Sequence, residues 1–209
     1  MQHFLLVNGQ WEQQTAQDVS YSYDTNPLDG SFTQNGWGRL TALSFNAYNS
    51  GTMAYLYSYN TAGRVTAQRM RLTNGNTVDL TASYTWDNQG RMTSMGYPGS
   101  ANRYAGQDVY TYQYDAMGRL CGMTTPMCDS GQDPPGCVYT QTVATATYNS
   151  IGQMSALSYD NFTENRSYNS LLQLSRMWTT QSGAGTVMDM TYNYTGGRIM
   201  GGSRRRWTR

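Results

Sequence analysis

The sequence predicts an all-β chain built as an array of antiparallel β-hairpins. Three observations carry that expectation. A nine-residue signal, Tyr-x-Tyr-Asp-x-x-Gly-Arg-Leu, recurs along the chain. The residues before each copy alternate between aromatic or apolar and small polar, the period of a half-buried strand. No stretch places apolar residues at helical spacing, while Gly reaches 22 copies and Tyr 18 in 209 residues. A repeat this regular means one supersecondary unit copied and stacked, rather than a single core around one active site.

The cleanest copy runs Tyr112-Gln113-Tyr114-Asp115-Ala116-Met117-Gly118-Arg119-Leu120. Two more carry Tyr59, Asn60, Gly63 and Arg64, and Trp86, Asp87, Gly90 and Arg91. Four weaker copies surround them. Tyr148, Asn149 and Gly152 keep the turn but are followed by Gln153 in place of Arg. Tyr168 and Asn169 have lost the Gly as well, with Leu172 standing in its place. Tyr194, Gly197 and Arg198 form a copy one residue short. At the start, Tyr23 and Asp24 belong with Gly38 and Arg39 as one unit split by an insertion. The Gly-equivalent positions of these seven units are 38, 63, 90, 118, 152, 172 and 197, so the steps run from 20 to 34 residues. Uneven steps suit hairpins with variable outer loops better than a strict solenoid.

Each unit reads as strand, tight turn, strand. Val78, Leu80, Ala82, Tyr84 and Trp86 fall on one face of a strand, and Thr77, Asp79, Thr81, Ser83 and Thr85 on the other. Asp or Asn opens the turn because its side chain can accept a hydrogen bond from the backbone ahead. Gly closes it because it enters the left-handed region without strain. A type I turn ending in a glycine bulge is the natural candidate. The Arg after Gly begins the return strand, where its guanidinium can stack on a ring or pair with the Asp. On this reading Tyr, Asx, Gly and Arg are structural.

Composition bounds the rest. Only 13% of residues are charged, against a typical quarter. All 14 basic residues are Arg, and the total formal charge is +1. Ten Arg against 13 acidic residues in 1–200 give −3, and four Arg crowd the last six positions, 204–209. Residues 1–20 read as a polar lead-in or degenerate strand pair, 21–200 as the repeat array with a loop insertion at 126–138, and 201–209 as a disordered basic tail. An Arg run with a Trp can touch nucleic acid or anionic lipid; a frayed terminus is the simpler reading, and no nucleic-acid partner is assigned. No segment has transmembrane length, and Met1–Asn8 lacks the basic and apolar regions of a signal peptide.

Chemistry has little to stand on. The one His, His3, leaves no base for a Ser or Cys nucleophile. The carboxylate pairs Asp24 with Asp29 and Asp129 with Asp133 lie in turn contexts. No catalytic, cofactor or metal site is expected. Cys128 and Cys137 flank a Pro-Pro-Gly loop and could be a disulfide or a free pair. An aromatic sheet face could stack on sugar rings, or its tyrosines could simply cover one another across strands.

The repeated units resemble the YD repeats of the Rhs family, bacterial proteins related to Tc toxin B and C components and to teneurins. The resemblance spans residues 21–200, and Tyr114-Asp115-Ala116-Met117-Gly118-Arg119-Leu120 lies close to the family consensus. Tyr159 to Tyr168 is similar to the family's linker between units. The resemblance implies a curved, open segment of an Rhs-type β-shell, non-catalytic, in a secreted or surface-displayed protein. In that setting the shell encloses a C-terminal toxin, and the partners are the remaining repeats or other chains of the same shell, with an enclosed toxin domain or cell-surface glycans beyond them. Seven units are too few to close a shell, so a fragment of a core is expected. Asp133-Pro134-Pro135-Gly136 is similar to one element of the family's self-cleavage motif. It sits inside the Cys loop with repeats after it, so it is read as a turn and Asp133 is given no catalytic role. A carbohydrate- or surface-binding repeat module is the alternative.

Overall fold

The computed structural model describes residues 2, 4–14, 18–46, 51–98, 109–129 and 136–204, with the backbone alone at 127–129, 136–139 and 200–204. Every regular element among them is a strand. The chain divides into two units, Met1–Val109 and Tyr110–Arg209. The first holds β1 (Phe4–Val7), β2 (Gln10–Gln13), β3 (Val19–Tyr23), β4 (Leu40–Asn46), β5 (Thr52–Tyr59), β6 (Val65–Asn74), β7 (Asn76–Trp86) and β8 (Met92–Gly96). The second holds β9 (Val109–Tyr114), β10 (Leu120–Asp129), β11 (Gly136–Tyr148), β12 (Met154–Tyr159), β13 (Phe162–Tyr168), β14 (Leu174–Gln181), β15 (Gly185–Thr195) and β16 (Arg198–Arg204).

From β3 on, each strand of a unit pairs antiparallel with the next in sequence. The result in each is an open sheet. β1 and β2 form a separate hairpin on an Asn8-Gly9 turn, both residues at positive φ, the geometry that matches strand twist. The seven repeat turns join β3 to β4, β5 to β6, and so on to β15 and β16. Within each unit they therefore share one end of the strands.

Five of those turns follow one hydrogen-bond pattern. In the β5–β6 turn the Gly63 N–H donates to the Asn60 carbonyl at 2.9 Å and the Asn60 N–H to the Arg64 carbonyl at 2.9 Å. The same pair of bonds recurs at Asp87, Asp115, Asn149 and Asn169. The Asx Oδ1 accepts the N–H four residues on, at 2.9 Å in each of the five. Gly63, Gly90, Gly118 and Gly152 have φ between 77° and 88°. This is a type I turn closed by a glycine bulge. The short copy uses Gly196 and Gly197, φ 57° and 78°, with Thr195 paired to Arg198, a two-residue turn. The split unit closes across its insertion: the Asp24 N–H donates to the Arg39 carbonyl at 3.1 Å, and Tyr23 pairs with Leu40.

Every return strand then carries a second irregularity. Tyr59 pairs with Val65 but Ser58 with Ala67, leaving Thr66 unopposed. The equivalent residues are Thr41, Thr93, Cys121, Ser155, Ser175 and Met200. A bulge bends its strand and increases local twist. Small hydroxyl or thiol side chains fill six of these seven positions, and Thr41 donates to the Thr25 carbonyl at 2.7 Å.

Two expected boundaries move. Residues 126–129 and 136–138 are strand, not loop: β10 and β11 extend their ladder to Asp129 opposite Gly136. Pro126 is tolerated there because it lies past Thr124, the last β10 residue paired with β9. Asp133 to Pro135 lie outside the described residues. Residues 201–204 are likewise paired, Gly201 to Asn193 and Arg204 to Met190, because the Gly-Gly turn returns the chain in register; 205–209 and His3 lie outside the described residues. The 34-residue step comes from the long β10–β11 hairpin, and the 20-residue step from the Asp160-Asn161 connection joining Tyr159 to its partner Phe162.

Gly118→Val is expected to lower stability by about 2 kcal/mol, since φ 77° disfavours any side chain and a β-branched one most. Leu172 already occupies that conformation at φ 62° with 57% of its surface exposed. Leu172→Gly should therefore raise stability by about 0.5–1 kcal/mol. Urea midpoints of the two variants measure both.

Candidate functional site

The repeated contacts lie at the turn ends, where neighbouring hairpins stop sharing backbone hydrogen bonds. The β4–β5 ladder ends at Ala42 opposite Leu56, and the β14–β15 ladder at Arg176 opposite Thr191. Beyond those points the residue before each Asx bridges the gap. The Tyr59 hydroxyl donates to the Leu40 carbonyl of the preceding hairpin. Trp86 Nε1 donates to the Val65 carbonyl at 2.7 Å. Tyr148, Tyr168 and Tyr194 donate to the carbonyls of Leu120, Met154 and Leu174 at 2.7–2.8 Å. The acceptor is always the first residue of the preceding return strand. Burial pushes the Tyr59 phenol above its usual pKa, against the opposing pull of Arg39, so it remains a donor. Tyr114 precedes Asp115 in the same position of its unit, and Tyr23, in the first hairpin, is 59% exposed.

The Arg of three units, Arg39, Arg64 and Arg119, reaches toward the next hairpin as well. The Arg39 guanidinium lies 5.7 Å from the Tyr59 ring centroid and that of Arg119 4.4 Å from Tyr148. The ring therefore belongs to the following unit, not to the outgoing strand of the same one. A Cβ on Gly63 would stand 2.8 Å from Arg39 Nη2, and one on Gly90 2.6 Å from Arg64 Nη2. These glycines answer to two demands at once: positive φ and the cation lying over them.

The Asx and the residue four on form a matched pair. Asp87 and Asp115 hold Arg91 and Arg119 at 2.7 Å. Where the Asx is Asn149 or Asn169, its amide donates to Gln153 or Gln173 at 3.0 and 2.9 Å. An ion pair is exchanged for an amide pair without changing the turn. Gln153 also donates to the Leu172 carbonyl at 2.7 Å, so no guanidinium crowds position 172 and a side chain fits there.

The insertion between Asp24 and Gly38 supplies the first unit's covered core. Ala42, Ala54 and Leu56 are buried, and Phe32 of the insertion packs against them. Asn26 Oδ1 accepts the N–H groups of Leu28 and Asp29, and its amide donates to Thr33. Thr33 and Asn35 donate to the Tyr57 and Tyr59 carbonyls at 2.8 Å. The Asp29 carboxylate bridges Arg69 at 2.8 Å and Arg71 at 3.1 Å, and the Arg69 guanidinium lies 4.1 Å over Phe32. Arg71 also holds Asp79 at 2.7 Å.

Register sorts the two faces of each sheet. In the first unit Tyr21, Leu43, Tyr55, Met70 and Leu80 form one cross-strand row, while Ala42, Leu56, Arg69 and Thr81 form a row on the other face, beneath the insertion. In the second, Tyr112, Met123, Ala144, Tyr159 and Phe162 share one face, and Gln113, Gly122, Thr145, Ser158 and Thr163 the other. The sequence alternation anticipated the faces. The pairing of Arg with the Asp was anticipated; the threonine or serine at the bulge and the amide form of that pair were missed, although Gly-Arg-Leu-Thr at 38–41 and the change of Asp with Arg to Asn with Gln carry both signals.

Four carboxyls are held below the usual value of 3.8. For Asp29 the Ser31 hydroxyl acts most, and for Asp79 the Arg71 guanidinium. For Asp87 and Asp115 the main cause is the backbone N–H of Arg91 and Arg119. All four serve turns or ion pairs. Among the described residues no three His, Cys, Asp or Glu side chains gather to hold a metal ion, and no helix is long and apolar enough to cross a membrane. Cys128 and Cys137 are Cα partners at the end of the β10–β11 hairpin, their side chains outside the described residues.

Fold and turn geometry together define a β-hairpin repeat array closed by Asx-to-Gly turns. Residues 59–101 match the RHS repeat family. Among solved structures, TcdB2-TccC3-TEV superposes with a TM-score of 0.56 at 13% identity, covering 94% of this chain and 12% of that one. A porin-like protein from Bacteroides uniformis gives a TM-score of only 0.20 at 13% identity, over 74% of this chain and 88% of its own. No curated protein matches the sequence. The RHS repeat matched over residues 59–101 is a structural repeat rather than a catalytic one.

Tyr194→Phe removes one inter-hairpin donor and leaves the ring, so a loss of about 1 kcal/mol is expected in urea denaturation; no loss would mean that the phenol does not tie the hairpins together. The depressed carboxyls add stability above their unfolded pKa, about 3.9, and lose it as pH falls through their lower folded values. The urea midpoint should hold from pH 7 to about 5 and decline below about 4. The double variant Asp87→Asn, Asp115→Asn, which copies the Asn149 and Asn169 turns, should decline less. Equal decline would remove these turns from the acid response.

Proposed function

We propose that the chain is a non-catalytic wall segment of an Rhs-type toxin-encapsulating shell, in a secreted or surface-displayed protein. The observation that carries this reading is the inter-hairpin contact itself. In five hairpins the Tyr or Trp docks on the return strand of the hairpin before it, so such a unit is both a finished turn and a template for the next. Aromatic, Arg and Asp groups are consumed by that task rather than gathered at one reacting centre. The RHS repeat match and the TcdB2-TccC3-TEV likeness support the same role. The chain spans 12% of the length of that structure. We assign as its partners further repeats of the same wall, with an enclosed toxin domain on one face.

β3 and β16 each pair with one neighbour, and exposed edges recruit other strands. Sedimentation velocity across a concentration series should show self-association, with no binding on a glycan array. A monomer at all concentrations that binds glycan, and loses binding in Tyr57→Ala with its fold intact, would replace the wall reading with a carbohydrate-binding module.

A further inference from the structure

Cys128 in β10 and Cys137 in β11 are Cα partners in the antiparallel ladder, followed by the pair Asp129–Gly136 and separated from Met127–Tyr139 by a register shift that leaves Val138 unopposed. Opposed residues in such a ladder have Cα atoms about 4.5 or 5.5 Å apart, depending on whether the pair is hydrogen-bonded. A disulfide spans Cα separations of about 4.4–6.8 Å, so either kind of pair lies within its reach.

The third cysteine has no such partner. Cys121 lies on β10 with Cys128, seven residues away. At about 3.3 Å per strand residue the two are roughly 23 Å apart. Cys137 stands at the same level as Cys128 and is equally distant. Cys121 fills the bulge near the opposite end of the hairpin, with Sγ 3.5 Å from the Gln113 carbonyl. Three cysteines allow three pairings, and strand geometry leaves one.

We propose that Cys128 and Cys137 close a cross-strand disulfide at the end of the β10–β11 hairpin away from the repeat turns, while Cys121 stays a thiol. Bond formation removes two protons and two electrons from the two thiols. A small disulfide such as oxidised glutathione accepts them and leaves as two thiols. The lock is open in a reducing cytosol and closes in an oxidising compartment, clamping the ends of β10 and β11 together. The proposal stands on strand register and is independent of the wall reading.

The test treats the full chain with oxidised glutathione, alkylates it with iodoacetamide in denaturant and maps the peptides by mass spectrometry. The expected product is about 2 Da lighter than the reduced chain before alkylation. It carries one alkylated residue, Cys121, and one linked peptide joining 128 to 137. Closing so short a loop should raise Tm by about 5–10 °C. Cys128→Ser should abolish both the link and the rise; Cys121→Ser should abolish neither. Three alkylated cysteines after oxidation, or a link through Cys121, would overturn the assignment.

Discussion

The structure depends on a hydrogen bond that the backbone cannot make. At each repeat turn the glycine bulge and the strand bulge after it draw the two strands of a hairpin together and twist them. The ladder to the neighbouring hairpin stops two or three residues short of that end. Carbonyls at the start of the return strand would lack a partner, and an unmade bond costs more than a made one gains. A rigid aromatic with a donor at its tip spans the gap. This explains why the position holds Tyr or Trp in all seven units and Phe in none. A phenyl ring would pack but could not donate.

The other repeat residues follow from that bridge. Arg is drawn over the bridging ring and onto the glycine of the next turn, and the Asx gathers the backbone N–H groups behind it. Because Arg is held by Asp in one unit and Gln by Asn in another, the turn depends on the shape of the pair and less on its charge. Exposed pairs contribute little to stability individually; their role here is placement. The first hairpin departs furthest. There Thr33, Gln34 and Asn35 of the insertion add hydrogen bonds to β5 beside the Tyr59 phenol's bond to Leu40, and the inserted segment covers the small-residue face.

Much of this was legible in the sequence because strand period and turn chemistry are local. The alternation at 78–86, the Asp-to-Gly spacing, and the unit split between Asp24 and Gly38 could all be read from neighbouring residues. What could not be read was anything crossing from one hairpin to the next. The ring beneath each Arg belongs to another unit, the seven bulges appear only when two strands are aligned, and the ion-pair network of Asp29, Arg69, Arg71 and Asp79 joins residues up to 50 positions apart. The 126–138 segment looked like loop because Pro, Gly and Asp dominate it. Its flanks are strand because β11 offers β10 a continuous partner past the point where β9 has ended.

The two ends of the strands have unequal freedom. At the repeat turns each residue is constrained by its own loop and by the adjoining hairpin, so change is tolerated only in matched sets. At the opposite ends a two-residue link at Asp160-Asn161 and the long β10–β11 strands coexist without disturbing the contacts at the turns. A chain made this way can grow by gene duplication. Copying the stretch from one Asx to the next brings along both a donor and its acceptor, and the new neighbour needs no interface of its own. One margin is inherited almost verbatim, and the other is where descendants can diverge.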